Sequence, residues 1–326
     1  PLSRKKSPKQ FEKIVGNKST LQLAVERLLP DFKYSDIYIS TNSLYKDIVK
    51  KQLPKIPETN FLFEPEKKDV APAIALAMSI LLRQNPDEPV AILWSDHLVK
   101  QVTLFQKILK LAGSEVKKNP HKIVFIANKP RFPSTNLGYI HIGKKLKTVN
   151  KISVHQFEGL KYKPDEVTAK KFFQSGKYGW NLGYFVTTPR FIYQYFERLA
   201  PNIHKNTETI LKKYGKSDYQ SFLKKTYGQV ENINFDNAIL ENLDKKDASV
   251  IVEDIGWSDV GSWEALKEAL QLDTYENVIR GKVYLDNVHD SLIYNYDDNK
   301  IVVGVDLDEN IIINTHDVIL ITKKNS

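Results

Sequence analysis

Cysteine is absent from this chain of 326 residues, and methionine occurs once, at Met78. Without cysteine the protein has no disulfide scaffold, thiolate zinc site, cysteine nucleophile or iron–sulfur cluster. No apolar run reaches the roughly 18–20 residues that a membrane-spanning helix requires. Because the first residue is proline rather than methionine, we expect the chain to be a fragment or a processed product, so that any leader lies outside it.

Arginine is also scarce, although the chain is basic. Only seven of its 48 cationic residues are arginine, and 39 acidic residues leave a formal net charge of +9. This balance fits an anionic partner, such as nucleic acid, a membrane surface or a phosphorylated substrate, or it reflects a lysine-rich composition alone. Arginine is the residue that reads bases and phosphates bidentately, and cations and aromatics are not interleaved in a stacking platform, so nucleic-acid binding is disfavoured.

Short apolar runs alternate with segments of helical period between Phe32 and about Val186. The runs DIYIST, NFLFEP, VAILWSD and KIVFIA are typical of buried strands, because they lack the polar alternation of a half-exposed strand. Segments such as APAIALAMSILLRQ and TLFQKILKLAG are typical of helices. Alternation of strands and helices predicts an α/β domain with a parallel sheet covered on both faces.

The pattern changes from about Asn277 onward. Short β-branched runs there are broken by Asp-Asn, Asp-Asp-Asn and Asp-Glu-Asn turns. This spacing predicts short strands and tight turns, in either a β-solenoid or a small barrel. We therefore predict one domain over residues 1–274 and a β-rich tail over residues 275–326.

Four polar groups adjoin predicted strands of the α/β domain. In an open α/β sheet, ligands bind beyond the carboxyl ends of the strands, so these groups are candidates for a site. They are Glu64-Pro65 after NFLF, Ser95-Asp96-His97 after VAILW, Tyr178–Gly183 before GYFVTT, and Trp257–Trp263 after SVIVEDIG.

Asp96 and Asp259 are the sharpest candidates. Mg²⁺ takes carboxylate oxygens, and an Asp at a strand end that faces a phosphate is typical of phosphoryl- and nucleotidyl-transfer sites. The alternatives are a helix N-cap for Asp96 and a turn for Asp259. His97 has no second histidine at metal-binding spacing, which favours a structural role. The basic segment Arg4–Gln10 either clamps a triphosphate or is a solvated terminus.

Six motifs, in order over nearly the whole chain, resemble the sugar-1-phosphate nucleotidyltransferases, and among them the mannose-1-phosphate guanylyltransferases. PLSRKKSPKQF is similar to the second half of that family's signature, and FEPEKKDVAPAIALA to its Glu-Pro-x-x-Arg-Asn-Thr-Ala-Pro-Ala segment. WSDH resembles Pro-Ser-Asp-His, and KYKPDEVTAKKFFQSGKYGWNLGYF resembles Glu-Lys-Pro-Asp followed by Trp-Asn-Ser-Gly-Met-Phe. FDNAILE and GWSDVGSWEAL match the closing motifs almost letter for letter.

The resemblance implies a Rossmann-like, GT-A-like domain with a mixed, mainly parallel sheet, followed by a left-handed β-helix. It also implies an Mg²⁺-dependent reaction in which mannose 1-phosphate attacks the α-phosphate of GTP, forming GDP-mannose and pyrophosphate. The implied catalytic residues are Lys9, Arg4, Asp96 and Asp259, of which Asp96 and Asp259 would hold Mg²⁺. The implied nucleotide-binding residues are Glu64, Pro65, Ala71, Pro72 and Ser95. The implied sugar-phosphate residues are Gly138, Lys163 and Asn181.

The chain also departs from the family pattern. The Gly-rich loop that precedes the signature is missing, so we expect this polypeptide alone to be weak or inactive. Tyr162 stands in place of the Glu of Glu-Lys-Pro, a sugar-contacting position. The other replacements are Lys68, Asp69 and Val70 for Arg, Asn and Thr, and Leu137, Ile140 and Leu182 for Thr, Gly and Ser.

These departures leave open another sugar or nucleotide, or a non-catalytic homologue that binds nucleotide sugars and regulates a partner. The resemblance implies a cytoplasmic enzyme with GTP and mannose 1-phosphate as substrates, without a nucleic-acid or membrane partner. A homodimer through the β-rich tail is left open.

Overall fold

The computed structural model describes residues 8–273 and 275–324. Several helices begin directly after a polar residue whose side chain caps the first turn. Ser19 and Gln22, for example, form a capping box at the start of the first helix. No helix in the described part of the chain is long and apolar enough to cross a membrane. The helices are α1 Thr20–Glu26, α2 Lys46–Gln52, α3 Val70–Gln84, α4 Val102–Lys118, α5 Glu166–Ser175, α6 Pro189–Leu199, α7 Pro201–Leu211, α8 Tyr219–Tyr227, α9 Phe235–Ala238 and α10 Trp263–Leu270.

Each of the four predicted strand runs contains a strand. They correspond to β3, β4, β5 and β7 of the structure. The strands are β1 Lys13–Val15, β2 Lys18–Ser19, β3 Ile39–Asn42, β4 Phe61–Glu64, β5 Val90–Ile92, β6 Leu98–Val99, β7 Ile123–Asn128, β8 Gly138–Val149, β9 Ile152–Lys161, β10 Tyr178–Thr187, β11 Ala248–Glu253, β12 Trp257–Ser258, β13 Val278–Arg280, β14 Val283–His289, β15 Leu292–Asn295, β16 Val302–Asp308, β17 Asn310–Asn314 and β18 Ile319–Lys323.

The chain forms two compact units. The first unit contains the described residues of Pro1–Arg27, Ser95–Gln101 and Gly256–Ser326, and the second unit contains Leu28–Trp94 and Val102–Ile255. The predicted division at 274/275 follows chain order instead, and it stays a prediction. The predicted change to short strands does occur close to that position, at β13.

A six-stranded sheet organises the second unit, in the order β5-β10-β7-β11-β9-β8. Strands β5, β7, β11 and β8 run in one direction, whereas β9 and β10 run in the other. The mixed α/β class is therefore confirmed. Parallel pairing is rarer than the sequence predicts, because β9 and β10 are interleaved among the other strands. Within this sheet β7 and β11 pair in parallel, and β3 and β4 form a separate parallel pair.

The core of the second unit lies against this sheet. All six residues of β7 are buried, as its apolar run predicts. Phe125 stacks on Phe157 with ring centroids 5.2 Å apart, and Phe185 stacks on Phe235 at 5.4 Å. On the helical side α3 packs against α6 and α7. Burial of this apolar surface holds the sheet together, including strands β8 and β10, which carry the candidate residues Gly138 and Asn181.

The end of the chain, in the first unit, is a small β-solenoid. Strands β13, β15 and β17 stack in parallel, as do β14 and β16, so successive coils lie on one another. Leu292, Ile293, Ile311 and Ile313 are buried between them. Strand β18 then runs antiparallel to β17. Of the two predicted architectures the parallel stacking is that of a solenoid, and its left-handed sense stays a prediction.

Candidate functional site

Lys9, Asp96 and Asp259 lie together in the first unit. The Lys9 ammonium is 3.1 Å from Asp96 Oδ2, and it donates a 2.7 Å hydrogen bond to the backbone carbonyl oxygen of Asp259. The Asp96 side chain is 34% exposed, which leaves it accessible to a ligand. Three of the four predicted catalytic residues thus form one charged group, the Lys9–Asp96–Asp259 cluster. The fourth, Arg4, lies outside the described residues.

A two-residue ribbon brings the two carboxylates to the same place. Strands β6 and β12 pair antiparallel, with Leu98 opposite Ser258 and Val99 opposite Trp257. Asp96 comes shortly before β6, and Asp259 comes directly after β12. Because the pair is antiparallel, these two positions lie at the same end of the ribbon.

The local alternatives for these two residues have different outcomes. Asp96 lies in a turn and does not cap a helix, since the next helix, α4, begins only at Val102. Asp259 does stabilise its turn, because its Oδ1 accepts a 3.2 Å hydrogen bond from Gly261 N, next to Val260 at φ +48°. The side chain of Asp259 thus holds its own turn, whereas its backbone carbonyl oxygen accepts the hydrogen bond from Lys9.

The charges of the cluster are set by burial and by neighbouring groups. Burial acts to raise the pKa of Asp96, but His97 and Lys9 outweigh it and lower that pKa below its ordinary value. Burial lowers the pKa of His97 to about 4, so its imidazole is neutral at physiological pH. Asp96 is therefore ionised beside a cation, as a carboxylate ligand of a divalent metal must be.

The donor set of the cluster fits a divalent cation that is completed by substrate. No group of three or more His, Asp or Glu residues that could hold a metal ion occurs in residues 8–273 and 275–324. Mg²⁺, however, is usually held by one or two carboxylates, while phosphate oxygens and water complete its octahedron. Asp96 and Asp259 supply two such hard oxygen donors, and Lys9 adds a cation for phosphate oxygens.

His97 has a structural role, as the sequence favours. The Trp257 indole N–H donates a 3.1 Å hydrogen bond to His97 Nδ1, and the two rings meet edge to face at 5.0 Å. This bond places the imidazole proton on Nε2, which is 3.7 Å from Asp96 Oδ1. The Arg27 guanidinium donates to the backbone carbonyl of His97 at 2.9 Å. Trp257 thereby links the Asp259 segment to the Asp96 segment.

Replacing Trp257 with Phe tests this link. The ring remains apolar but the donor to the buried His97 is lost, so we expect the free energy of unfolding to fall by about 1–3 kcal/mol. Urea denaturation followed by circular dichroism measures the change. Trp263→Phe is the matched control, because Trp263 belongs to the same motif and packs on Tyr294 at 6.0 Å. An equal loss in both variants would contradict the link.

The predicted sugar-phosphate residues meet in the second unit. Asn181 lies within β10, opposite Gly138 of β8, rather than before the strand as the sequence predicts. The register of β10 against β7 shifts just after Asn181, and Gly183 takes φ +68°. Asn181 Nδ2 donates a 2.8 Å hydrogen bond to Asp236 Oδ1. Lys163 lies close enough for its charge to lower the pKa of Asp236.

The predicted nucleotide residues are divided between the two units. Glu64 ends β4, and the Tyr227 hydroxyl donates a 2.6 Å hydrogen bond to its Oε2. Burial raises the pKa of Glu64, and the Tyr227 bond partly opposes this shift. The backbone N–H of Ala71 donates to the Ile233 carbonyl at 3.2 Å. The remaining members are Pro65 and Pro72 in the second unit and Ser95 in the first unit.

The departures from the family pattern lie in different surroundings. Ile140 is fully buried in the main core of the second unit. Leu182 is also buried. Asp69 caps α3 through a 2.7 Å hydrogen bond from Val70 N. Tyr162 is bound through its backbone N–H, which donates to Glu241 Oε1 at 3.0 Å.

Sequence reasoning missed Asp236 and Tyr227 as neighbours of the predicted residues. Asp236 belongs to the FDNAILE motif, which is a signal that a single carboxylate could be functional. Tyr227 lies in the Lys-rich helix α8, whose local pattern gives no such signal. Their partners are distant in sequence, 55 residues for Asn181 and 163 for Glu64.

Known proteins of one family resemble this chain over its whole length. The model of the nucleotidyl transferase family matches residues 1–276. The chain is 31% identical to mannose-1-phosphate guanylyltransferase of Escherichia coli, over 100% of this chain and 70% of that protein. It is 30% identical to the Salmonella muenchen protein of that name, over 100% of this chain and 68% of that protein.

A solved structure shares the fold. The crystal structure of mannose-1-phosphate geranyltransferase from Thermus thermophilus superposes with a TM-score of 0.85 at 24% identity, over 100% of this chain and 91% of that chain. At this identity the likeness supports the fold alone, whereas the family match and the curated relatives support the kind of chemistry. The chain therefore belongs to the nucleotidyl transferase family, as a relative of its mannose-1-phosphate guanylyltransferases.

Proposed function

We propose that the protein forms GDP-mannose and pyrophosphate from GTP and mannose 1-phosphate, with Mg²⁺ as its divalent cation. The observation that carries this proposal is the Lys9–Asp96–Asp259 cluster, in which the Lys9 ammonium bridges the Asp96 carboxylate and the Asp259 backbone carbonyl at the end of the β6–β12 ribbon. The Asp259 carboxylate lies close enough for its charge to act on the neighbouring His97. The curated relatives bear the name of this activity.

The chemistry is an in-line displacement at phosphorus. An oxygen of the sugar phosphate attacks the α-phosphorus of the nucleotide, and the bond from that phosphorus to the β-phosphate oxygen breaks. In such a reaction the protein contributes mainly positioning and neutralisation of charge. Asp96 and Asp259 would hold Mg²⁺, which when bound neutralises the phosphate oxygens as negative charge develops. Lys9 donates hydrogen bonds to the triphosphate, in keeping with its place against Asp96.

The second unit supplies recognition of the sugar in this proposal. Lys163 binds the phosphate of mannose 1-phosphate, and Asn181 opposite Gly138 contacts the ring. The nucleotide residues are those of the β4 end and the α3 start, namely Glu64, Pro65, Ala71 and Pro72, together with Ser95. Since Glu64 Oε2 already accepts from Tyr227, guanine N–H groups would use the other carboxylate oxygen.

Release of pyrophosphate from the full-length protein tests the proposal. Four nucleoside triphosphates are crossed with mannose, glucose and galactose 1-phosphates in the presence of Mg²⁺. We expect release confined to GTP with mannose 1-phosphate. Release with a different pair would identify another sugar-1-phosphate nucleotidyltransferase, which the replacement of Glu by Tyr162 leaves open. Silence throughout, with GTP or GDP-mannose still bound, would identify a non-catalytic homologue.

A further inference from the structure

Asn181 is held at both ends of its amide. Its Nδ2 donates to Asp236 Oδ1 at 2.8 Å, and its Oδ1 accepts from Gly183 N at 3.0 Å. Gly183 can take this position because it has no Cβ, since a side chain at φ +68° would be strained and its Cβ would overlap the Trp94 indole nitrogen. The amide therefore has one orientation, and that orientation fixes where the Asp236 carboxylate lies.

Asp236 is thus fixed to the residue that the resemblance places against the sugar. Asn181 faces Gly138 across the β8–β10 pair, and a Cβ at Gly138 would come within 3.3 Å of Asn181 Cβ. A side chain at residue 138 would therefore crowd the base of the Asn181 side chain. The absence of one leaves the Asn181–Asp236 pair undisturbed beside the start of β8.

A carboxylate is missing at the position where the resemblance expects one. Tyr162 occupies that position, and the Lys163 ammonium lies 5.2 Å from the centroid of its ring. The backbone N–H of Tyr162 donates to Glu241 Oε1 at 3.0 Å, so this glutamate is already engaged. Sugar hydroxyl groups donate hydrogen bonds, and an ionised carboxylate is the strongest side-chain acceptor for them.

We propose that Asp236 is the specificity-determining carboxylate of the sugar site, where it accepts a hydrogen bond from one ring hydroxyl of the hexose 1-phosphate. Asn181 is its positioning residue. This inference rests on the proposed function, because it names the group that reads the sugar in that reaction.

The surroundings of Asp236 support an acceptor role. Burial and the charge of Glu241 raise its pKa, whereas Asn181 and Lys163 lower it, and the result is about 6. At neutral pH the carboxylate is therefore ionised although burial opposes its charge. A partly buried carboxylate whose charge its surroundings disfavour is typical of a residue that binds a ligand.

Deoxy analogues of the substrate test the proposal. Values of kcat/KM are measured for mannose 1-phosphate and for its 2-, 3-, 4- and 6-deoxy analogues. The proteins are the full-length protein of the pyrophosphate assay, called the parent, and its Asp236→Asn variant. A hydrogen bond to a charged acceptor corresponds to a loss of about 10- to 100-fold, so we expect the parent to lose that much with one analogue. In Asp236→Asn, kcat/KM for mannose 1-phosphate itself falls about 10- to 100-fold. The further loss of kcat/KM with that analogue is then less than about threefold.

Two further variants make the result specific. Glu241→Gln removes the neighbouring charge that acts on Asp236, and we expect it to show the same loss of kcat/KM with that analogue as the parent. Asp87→Asn removes an exposed carboxylate that pairs with Arg190 in the second unit, and we expect parental constants. KM for GTP stays within about twofold in Asp236→Asn, and its melting temperature at neutral pH is not below that of the parent, because a neutral amide replaces a charge that burial opposes.

Several outcomes would overturn the inference. An unchanged penalty in Asp236→Asn, or a penalty that disappears only in Glu241→Gln, removes Asp236 from sugar recognition. A proportional loss with every analogue and with GTP indicates a structural role alone. If the parent forms no product, the proposed function fails, and the same set is then measured as calorimetric binding of the sugar phosphates. In that binding experiment one deoxy analogue must bind the parent more weakly than mannose 1-phosphate does, and the difference must disappear in Asp236→Asn. Otherwise the inference fails as well.

Discussion

Replacing Asp259 with Asn is expected to lower the rate of pyrophosphate release about 10³-fold or more while the protein stays folded. The Asn side chain retains the oxygen that accepts from Gly261 N, so the turn is preserved. It loses the charge that would hold the divalent cation, and that cation supplies several kcal/mol of transition-state stabilisation, at about 1.4 kcal/mol per tenfold in rate. Asp96→Asn is expected to act in the same way.

The control for these two variants is Asp286→Asn. Asp286 is an exposed carboxylate of β14 in the same unit, and its replacement makes the same change of charge. We expect parental turnover from it and melting temperatures within about 4 °C of the parent for all three variants. Near-parental turnover in both Asp96→Asn and Asp259→Asn would remove the metal assignment.

The sequence predicts the four apolar strand runs and marks Asp96 and Asp259 as candidates, because each depends on a local pattern. A run such as KIVFIA has no polar alternation, so it can only be buried on both faces, as β7 is. Asp96 and Asp259 each lie beside a short strand of the β6–β12 ribbon, and each stands out in the sequence as a carboxylate that follows an apolar run. That the two turns meet depends on the pairing of Leu98 with Ser258, which no local pattern specifies.

What the sequence does not predict depends on tertiary pairing. The polar and apolar pattern of β9 and β10 shows which side chains are buried but not the direction of the strand, so periodicity cannot reveal that these two strands run opposite to the others. Asp236 resembles a residue of an ordinary short helix until Asn181, 55 positions earlier, is seen to donate to it.

A buried ion pair joins α10 to the solenoid in the first unit. Lys267, which is fully buried, donates to Gln271 Oε1 at 2.6 Å and contacts Asp290 Oδ1, while Lys324 contacts Asp290 Oδ2. Burial acts to raise the pKa of Asp290, but hydrogen bonds from the two lysines outweigh it and lower that pKa. Asp290 is thus the single carboxylate between two ammonium groups, one of which has little access to water.

Asp290→Asn is therefore expected to lower the free energy of unfolding at neutral pH by about 3–5 kcal/mol, because the Lys267 charge stays buried without its carboxylate. Urea denaturation measures the change. The double variant Lys267→Met/Asp290→Asn is expected to recover most of the loss, since it removes both buried charges. As a control, Asp218→Asn breaks the exposed pair with Lys213 and is expected to lower the free energy by less than about 1 kcal/mol.

The pH dependence gives this prediction a sign. A carboxylate whose folded pKa is lowered stabilises the protein above its ordinary pKa, and that contribution is lost as the pH falls through the lowered value. The difference between the parent and Asp290→Asn is therefore expected to be largest near neutral pH and to shrink below about pH 4. A difference under about 1 kcal/mol at neutral pH, or one that is constant into acid, would mean that the charge of Asp290 does not hold α10 on the solenoid. The buried lysine would then be stabilised by Gln271 and packing alone.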